Sequence, residues 1–197
     1  MNDLSVELNG HWLEYIDSVH TYLVDGVIVP SITTLLNPRA KKKYEGIDKE
    51  VLKEAARQGT EVHEAIEAYC KTGEERNLPE VRGFKFLQKA YDFKVYRNEV
   101  PVVLDVDGFV CAGRLDMAIW MDGVLGLADI KRTATLDKEM LAYQLNLYRM
   151  GYEQSYDEEM HFLKGIHLRN DIRKLVDIPI NDEFTKQIIK EWRDKND

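Results

Sequence analysis

Two aspartates and a lysine near the centre of the chain have the spacing of a cation site. Asp116 and Asp129 lie in apolar segments separated by Asp122-Gly123, a dipeptide typical of a two-residue β-hairpin turn. The register of this turn places Asp116 opposite Asp129, with Lys131 on the same face two residues further on. Opposed carboxylates with Cβ atoms roughly 5 Å apart repel each other unless a positive charge lies between them. The pattern therefore predicts a divalent cation, and Mg²⁺ or Mn²⁺ suits such oxygen ligands.

The strands that would carry these groups span residues 115–121 and 124–130, and both are apolar on each face. Strands of this kind belong in the middle of a sheet that is covered on both sides. The alternative that each aspartate is a solvated residue at the end of its strand stays open at this point. The side chains expected on the acidic face are Ala118, Trp120, Leu125 and Leu127, and those expected on the other face are Leu115, Met117, Ile119, Val124 and Ile130.

The composition of the 197-residue chain predicts a globular protein with a single domain over residues 1–197. Hydrophobic residues make up 44% and charged residues 31%, which does not indicate disorder. Because the sequence has no secretion signal, no membrane-spanning run and two cysteines, we expect a cytoplasmic protein without disulfides, membrane contact or a four-cysteine metal site. The net charge of −8 argues against wrapping nucleic acid, but it allows a small metal-dependent nucleic-acid site.

Turn dipeptides predict two more hairpins, with Asp25-Gly26 in residues 21–29 and Asp107-Gly108 in residues 98–113. The second hairpin leads into residues 115–130, so we expect a central mixed β-sheet that contains an antiparallel meander and is flanked by helices. Gly59-Thr60 is expected to end one helix and begin the next. Helices are expected after Ser31, at residues 48–57, from residue 60, at 79–91, at 136–153 and from 182, and strands at 161–168 and 175–180.

Three polar or aromatic residues on these helices are candidates for a site. His63 lies beside an apolar stripe, where a single histidine is more often structural than a ligand. Gln144 and Tyr148 lie one helical turn apart and face the same way. Tyr148 could equally fill the core, whereas Gln144, between apolar residues, needs a hydrogen-bond partner if it is buried.

Four short motifs occur in an order that resembles the PD-(D/E)XK nuclease superfamily, and within it the RecB-type exonucleases that include phage recombination nucleases. The segment at residues 22–36 also resembles the N-terminal hairpin and helix of phage members. Leu115 replaces the proline that precedes the first acid in the family, and the absence of cluster cysteines excludes the iron–sulfur subgroup. The motifs are Gly59-Thr60-Glu61-Val62-His63, Gly113-Arg114-Leu115-Asp116, Asp129-Ile130-Lys131 and Gln144-Leu145-Asn146-Leu147-Tyr148.

The resemblance implies a restriction-endonuclease-like core and a metal-dependent DNA exonuclease of phage or prophage recombination and repair. It implies that Mg²⁺ or Mn²⁺ is held by Asp116, Asp129, His63 and the Ile130 carbonyl, as one ion or two. Lys131 would polarise the attacking water. Residues matching the family's Q-x-x-x-Y motif, Gln144 and Tyr148, would contact DNA and organise the site.

The predicted register also places Arg114 opposite Lys131, which is unfavourable unless a phosphate lies between the two cations. Arg114 would then bind DNA, or it would turn away to a surface carboxylate. Two other functions stay open: a structure-specific endonuclease on the same fold, and a non-catalytic module that binds DNA or protein. The resemblance allows, without requiring, a homo-oligomer and a single-strand-annealing recombinase as partner.

Overall fold

Two β-sheets lie side by side in the computed structural model, which describes residues 3–41 and 45–196 with their side chains and residues 42–44 as backbone alone. The first sheet is antiparallel and has its four strands in chain order. It packs against the second sheet at strand β6 (Phe109–Met121), where the Ala112 N–H donates to the carbonyl of Pro30 at 3.2 Å. Its strands are β1 (Leu4–Leu8), β2 (His11–Ile16), β3 (Thr21–Val24) and β4 (Val27–Val29).

The second sheet has five strands in chain order, and it is mixed because β7 and β8 run parallel while the other neighbours run antiparallel. A parallel pair needs a crossover, and helix α5 provides it. The mixed α/β class and the antiparallel meander are therefore confirmed. The elements of this part are β5 (Lys94–Val106), β6 (Phe109–Met121), β7 (Val124–Lys131), α5 (Lys138–Tyr156), β8 (Leu163–Arg169), β9 (Ile172–Ile178) and α6 (Asp182–Asn196).

Helices cover both faces of the five-stranded sheet. One face packs against α3 and α4 through Ile66, Phe84 and neighbouring side chains, and the other packs against α5 through Leu145 and Tyr152. Because β6 and β7 lie inside this sheet, they are apolar on both faces, as their sequences predict. Four helices follow β4 and precede β5 in the chain: α1 (Ile32–Leu35), α2 (Asn37–Tyr44), α3 (Lys49–Thr72) and α4 (Pro79–Ala90).

The three predicted hairpins are confirmed, and their turn residues have the positive φ that such turns need. Asp122 and Gly123 have φ of 53° and 81°, and the register of the last hairpin runs from Met121–Val124 to Met117–Ala128 as predicted. The predicted Asp116–Asp129 pair is not part of this ladder, because the two strands separate after Met117–Ala128. The first turn of α1 is also as predicted, since the Ser31 hydroxyl accepts a hydrogen bond from the Thr34 N–H at 3.0 Å.

Several details of the sequence reading were wrong. Gly59 does not break a helix, because α3 continues through it and is held by the packing of its apolar stripe; a helical glycine costs only about 1 kcal/mol. Leu115 belongs to the α5 side of the core, since β6 has already separated from β7 at that point. Trp120, near the hairpin turn, is 41% exposed. Strands β1 and β2 and helix α2 were missed, although Asn9-Gly10 is a turn signal between the two strands.

No helix in the described part of the chain is both long enough and apolar enough to cross a bilayer.

Candidate functional site

Helix α3 holds His63 at the end of the β6–β7 hairpin. The helix buries Val62, Ala65 and Ile66 against the sheet, and this packing directs His63 towards β6 and β7. The His63 Nε2 lies 3.0 Å from the carbonyl oxygen of Ile130, and its Nδ1 lies 3.3 Å from Asp116 Oδ1. Since a carbonyl and a carboxylate only accept hydrogen bonds, each ring nitrogen faces an acceptor and the ring is an imidazolium.

Asp116 stands where the β6–β7 ladder ends. The last backbone pair is Met117–Ala128, and one position further on Asp116 Oδ2 accepts a hydrogen bond from the Ile130 N–H at 2.6 Å. The carboxylate therefore takes the place of a strand partner for this N–H. The same hydrogen bond holds the carboxylate next to His63. The site therefore lies at the point where the ladder ends.

Asp129 lies on the neighbouring strand and is almost completely buried, with its side chain 3% exposed. Its Oδ1 accepts a hydrogen bond from Gln144 Nε2 at 2.9 Å, and its Oδ2 lies 2.5 Å from Lys131 Nζ. Gln144 thus has the partner that a glutamine between apolar residues of α5 requires. Lys131 and Gln144 also line a cavity of 140 Å³ under α5.

Glu99 is a site residue that the sequence reading missed. In the β5–β6 ladder Asn98 pairs with Met117 and Val100 pairs with Leu115, so Glu99 stands at the position opposite Asp116. The signal was available, because the same turn register applied to Asp107-Gly108 places these two residues across from each other. Asp116 therefore faces Glu99 on β5, and on its other side its carboxylate is bonded to the β7 backbone at Ile130, the residue after Asp129.

The ligand atoms of His63, Glu99 and Asp116 all lie within 4.8 Å of one another, and they form the metal-compatible group found among the described residues. Asp129 is not part of this group. The predicted set of His63, Asp116 and Asp129 is thus arranged as two neighbouring units, one on the cavity side and one around Lys131.

Burial and mutual charge set the protonation of these groups. Burial lowers the pKa of His63, but the charge of Asp116, a hydrogen bond to it and the charge of Asp129 raise that pKa to about 9 overall. Burial opposes ionisation of Asp116, yet His63, Lys131 and the Ile130 N–H outweigh it and lower the pKa of Asp116. The raised pKa of His63 and the lowered pKa of Asp116 both result from the ion pair between these two residues.

The two flanking acids shift the other way. Burial, and then repulsion from Asp116 and Glu67, raise the pKa of Glu99 to about 7. Burial and the charge of Asp116 raise the pKa of Asp129 to about 6, although Lys131 lowers it. Three carboxylates in one buried place are therefore only partly neutralised by His63 and Lys131.

The cavity in front of His63 and Asp116 has a volume of 810 Å³, with α3 on one side and the first sheet on the other. Arg114 lies in its wall with its guanidinium 5.2 Å from the centre of the Tyr15 ring and Nη1 4.0 Å from Glu99. The predicted Arg114–Lys131 opposition is wrong, because β6 has left β7 there; Arg114 pairs with Pro101 and Lys131 pairs with His167. The carboxylate that Arg114 faces is a buried one in the cavity wall.

Tyr148 also lines this cavity and is buried, with its ring against Gly113. A Cβ on Gly113 would lie 2.9 Å from Tyr148 Cε1, so the glycine is needed for the tyrosine to reach its position. Burial raises the pKa of Tyr148 well above its usual value, with smaller contributions from Tyr22 and Asp116. The hydroxyl therefore stays protonated and can donate a hydrogen bond into the cavity.

The donor set suits a hard divalent cation. It offers carboxylate oxygens and an imidazole, and beside them lies the buried carboxylate of Asp129, which is paired with Lys131. Oxygen ligands of this kind favour Mg²⁺ or Mn²⁺, and the histidine is compatible with Mn²⁺. The residues present thus fit the cation that the sequence predicts.

No protein-family model matches the chain, and no curated protein sequence matches it. Among solved structures, the chain is similar to one titled "Crystal structure of SSO0001". The TM-score is 0.50 at 14% sequence identity, and the alignment covers 85% of this chain and 76% of that chain. At this level of identity the likeness concerns the fold alone.

Proposed function

We propose that the chain is a metal-dependent deoxyribonuclease with a restriction-endonuclease-like core, and that it acts as an exonuclease. The observation that carries the proposal is the meeting of the His63–Asp116 pair and the Asp129–Lys131 pair at one end of a hairpin. Hydrolysis of a phosphodiester needs neutralisation of the phosphate charge, a positioned water and stabilisation of the negative charge on the leaving oxygen. Buried acids, an imidazole and a lysine beside a cavity supply groups for each need.

Asp116, Asp129, His63 and the Ile130 carbonyl would hold Mg²⁺ or Mn²⁺, which when bound neutralises phosphate charge and favours ionisation of water. Lys131 would hold the attacking water and stabilise its negative charge as the proton leaves. The water oxygen bonds to phosphorus as the water proton passes to Asp129 or to solvent, and the bond from phosphorus to the leaving oxygen breaks as that oxygen takes up a proton from solvent. Gln144 keeps Asp129 in place through its hydrogen bond.

Arg114 and Tyr148 supply the contacts to DNA in this proposal. The guanidinium of Arg114 lies in the cavity wall, where it can donate to a phosphate. The protonated hydroxyl of Tyr148 can donate to the same backbone. Both act locally, which suits a chain with a formal net charge of −8 that has no general attraction for nucleic acid.

The size of the cavity favours an exonuclease. At 810 Å³ it lies within the range of pockets that hold small ligands, roughly 300–1,000 Å³. Such a space admits the end of one strand rather than an intact duplex. In this proposal the enzyme therefore acts from a free DNA end.

Incubation of linear and closed-circular DNA with Mg²⁺, Mn²⁺ or EDTA tests the proposal directly. We expect cation-dependent loss of the linear DNA alone, and loss of that activity in Asp129→Asn and Lys131→Ala. The matched controls are Asp171→Asn and Lys174→Ala, which change exposed residues and should digest DNA like the parent protein.

Each other outcome identifies a different function. Cleavage of the circle would replace the exonuclease with a structure-specific endonuclease on the same fold. Folded protein that binds DNA and digests nothing with either cation would identify a non-catalytic module. Equal activity in Asp129→Asn and the parent would mean that cleavage does not use this site.

The proposed setting is DNA recombination or repair of a phage or prophage, in the cytoplasm of the host cell. A single-strand-annealing recombinase is the proposed partner, and a homo-oligomer around DNA is the proposed assembly. Light scattering of the purified protein with and without DNA measures the assembly. Co-purification with a single-strand-annealing recombinase tests the partner.

A further inference from the structure

Glu99 has a backbone conformation that its place in the fold does not explain. Its φ is 50° within strand β5, whereas the other non-glycine residues with positive φ in the described part of the chain lie at turns or helix ends. Those residues are Asn, Asp or His, which tolerate this region better than Glu. A long side chain held in an unfavourable conformation inside a strand is typical of a functional position.

The carboxylate of Glu99 is poorly satisfied by the protein. Its side chain is 17% exposed, and its cationic neighbour is Arg114, with Nη1 at 4.0 Å. Within the described residues it accepts no hydrogen bond. A mostly buried carboxylate that lacks donors needs a positive partner, and a distant guanidinium meets this need only in part.

The same carboxylate lies beside two potential cation ligands. Glu99, Asp116 and His63 each offer an atom within 4.8 Å of the others, and all three line the large cavity. Three elements bring them together: β5, β6 and α3. A cation at this place would be reached from the cavity, whereas Asp129 lies behind it and is held by Lys131 and Gln144.

We propose that Glu99 is a ligand of a divalent cation that Asp116 and His63 also hold, on the cavity side of the site. The inference rests on the proposed function and deepens it, because it assigns to β5 a carboxylate that the D…D-x-K pattern does not include. Glu99 would complete the charge balance at Asp116 and place the cation where a phosphate enters from the cavity.

The competing interpretation is that Glu99 only neutralises Arg114. The two interpretations differ in a property that can be measured without DNA. A cation ligand changes the affinity for Mn²⁺ when it is removed. A partner of Arg114 changes thermal stability instead, and removal of either partner should then have the same effect.

The test is Mn²⁺ binding to the DNA-free protein, followed by electron paramagnetic resonance and calorimetric titration. We expect Glu99→Gln to weaken Mn²⁺ binding by about ten-fold or more. Asp116→Asn should lose it, and Glu64→Gln, which changes another glutamate of the same cavity, should leave it unchanged. Arg114→Gln should bind Mn²⁺ at least as tightly as the parent, because a nearby positive charge has been removed.

Glu99→Asn is the second variant, since asparagine accepts positive φ more readily, and circular dichroism checks that each protein is folded. Parent-like Mn²⁺ affinity in the folded Glu99 variants, or no Mn²⁺ binding by the parent at millimolar concentration, would overturn the inference. Equal losses of Tm in Glu99→Gln and Arg114→Gln with unchanged Mn²⁺ affinity would identify the ion pair as the role.

DNA digestion measured on the same samples separates this inference from the proposed function. If the parent digests DNA and the Glu99 variants bind Mn²⁺ normally, the inference fails while the nuclease stands. If Mn²⁺ binding depends on Glu99 and no DNA substrate is digested, the cation site stands and the nuclease proposal fails.

Discussion

His63 and Asp116 form an ion pair between helix α3 and strand β6, with Nδ1 3.3 Å from Oδ1. The second ring nitrogen faces the Ile130 carbonyl at 3.0 Å, so the histidine bridges two groups that a cation could also use. An imidazolium cannot be a metal ligand, because both nitrogen lone pairs carry protons. Cation binding must therefore release a proton from His63, and the site links metal affinity to pH.

The pH dependence of stability follows from the pKa of His63, which is about 9 in the folded protein against 6.5 ordinarily. A raised folded-state pKa contributes stability that is present below pH 6.5 and is lost as pH rises to 9. The pKa of Glu99 is also raised, from 4.5 to about 7, so its contribution to stability is present below pH 4.5 and is lost as pH rises to 7. We expect the metal-free protein to lose about 2 kcal/mol of unfolding free energy between pH 6.5 and 9.

Urea denaturation at both pH values, with EDTA and with Mn²⁺, measures this effect. Mn²⁺ should stabilise the protein more at pH 9 than at pH 6.5, because fewer protons must then be displaced. A metal-free stability that rises over this interval would contradict the assignment of the imidazolium.

Asp116→Asn should lower the pKa of His63 to below 6.5. Burial disfavours the charged ring, and the carboxylate of Asp116 is the largest influence that opposes burial. Titration of the histidine ring signals by NMR in the metal-free variant measures the shift.

Lys131→Ala should reduce cleavage by about 100-fold or more while changing Mn²⁺ affinity by only a few-fold. The lysine contacts Asp129 and opposes the rise in its pKa, so its loss leaves a buried carboxylate that is protonated more easily. Single-turnover digestion with saturating Mn²⁺, from pH 6 to 9, measures the rate. Equal rates for Lys131→Ala and Lys174→Ala would remove Lys131 from the mechanism.

Gly113→Ala should destabilise the protein by about 1–3 kcal/mol and reduce cleavage. The new Cβ would lie 2.9 Å from Tyr148 Cε1 and 3.3 Å from Ile32 Cβ, so the buried tyrosine would have to move. Thermal unfolding and a DNA digestion assay measure the two effects. Tyr148→Phe separates them, because it keeps the ring and removes only the hydroxyl.

Gly59→Ala should stabilise the protein by about 0.5–1 kcal/mol. The residue lies inside the continuous helix α3, and a Cβ at this position meets nothing within 4 Å. Chemical denaturation measures the difference. A loss of stability would favour the helix break that the sequence pattern suggested at this glycine.

Local chemistry in the sequence was enough to predict the hairpins of the central sheet. Asp122-Gly123 determines its turn and with it the register down to Met117–Ala128, because both positions need positive φ and the side-chain period of a strand is two. Helices α4, α5 and α6 were also predicted, α5 from its helical composition and α6 from its amphipathic pattern. The expectation that Gln144 needs a hydrogen-bond partner if it is buried also follows from its apolar neighbours.

Contacts between distant segments were decided by the tertiary structure. The sequence does not state where a ladder ends, so the separation of β6 from β7 and the consequent turn of Arg114 towards Glu99 could not be predicted. The continuity of α3 through Gly59 depends on packing against the sheet, which outweighs the helix propensity of one residue.

By itself, then, the sequence determined which residues carry charge and how the hairpins align them, since turn geometry and strand period act over a few residues. Only the tertiary structure decided that His63 meets Asp116 and the Ile130 carbonyl, that Lys131 is held by Asp129, and that Arg114 turns towards Glu99. The physical reason is that these meetings depend on how α3 and β5 pack on the hairpin, and packing energy is a property of the whole core.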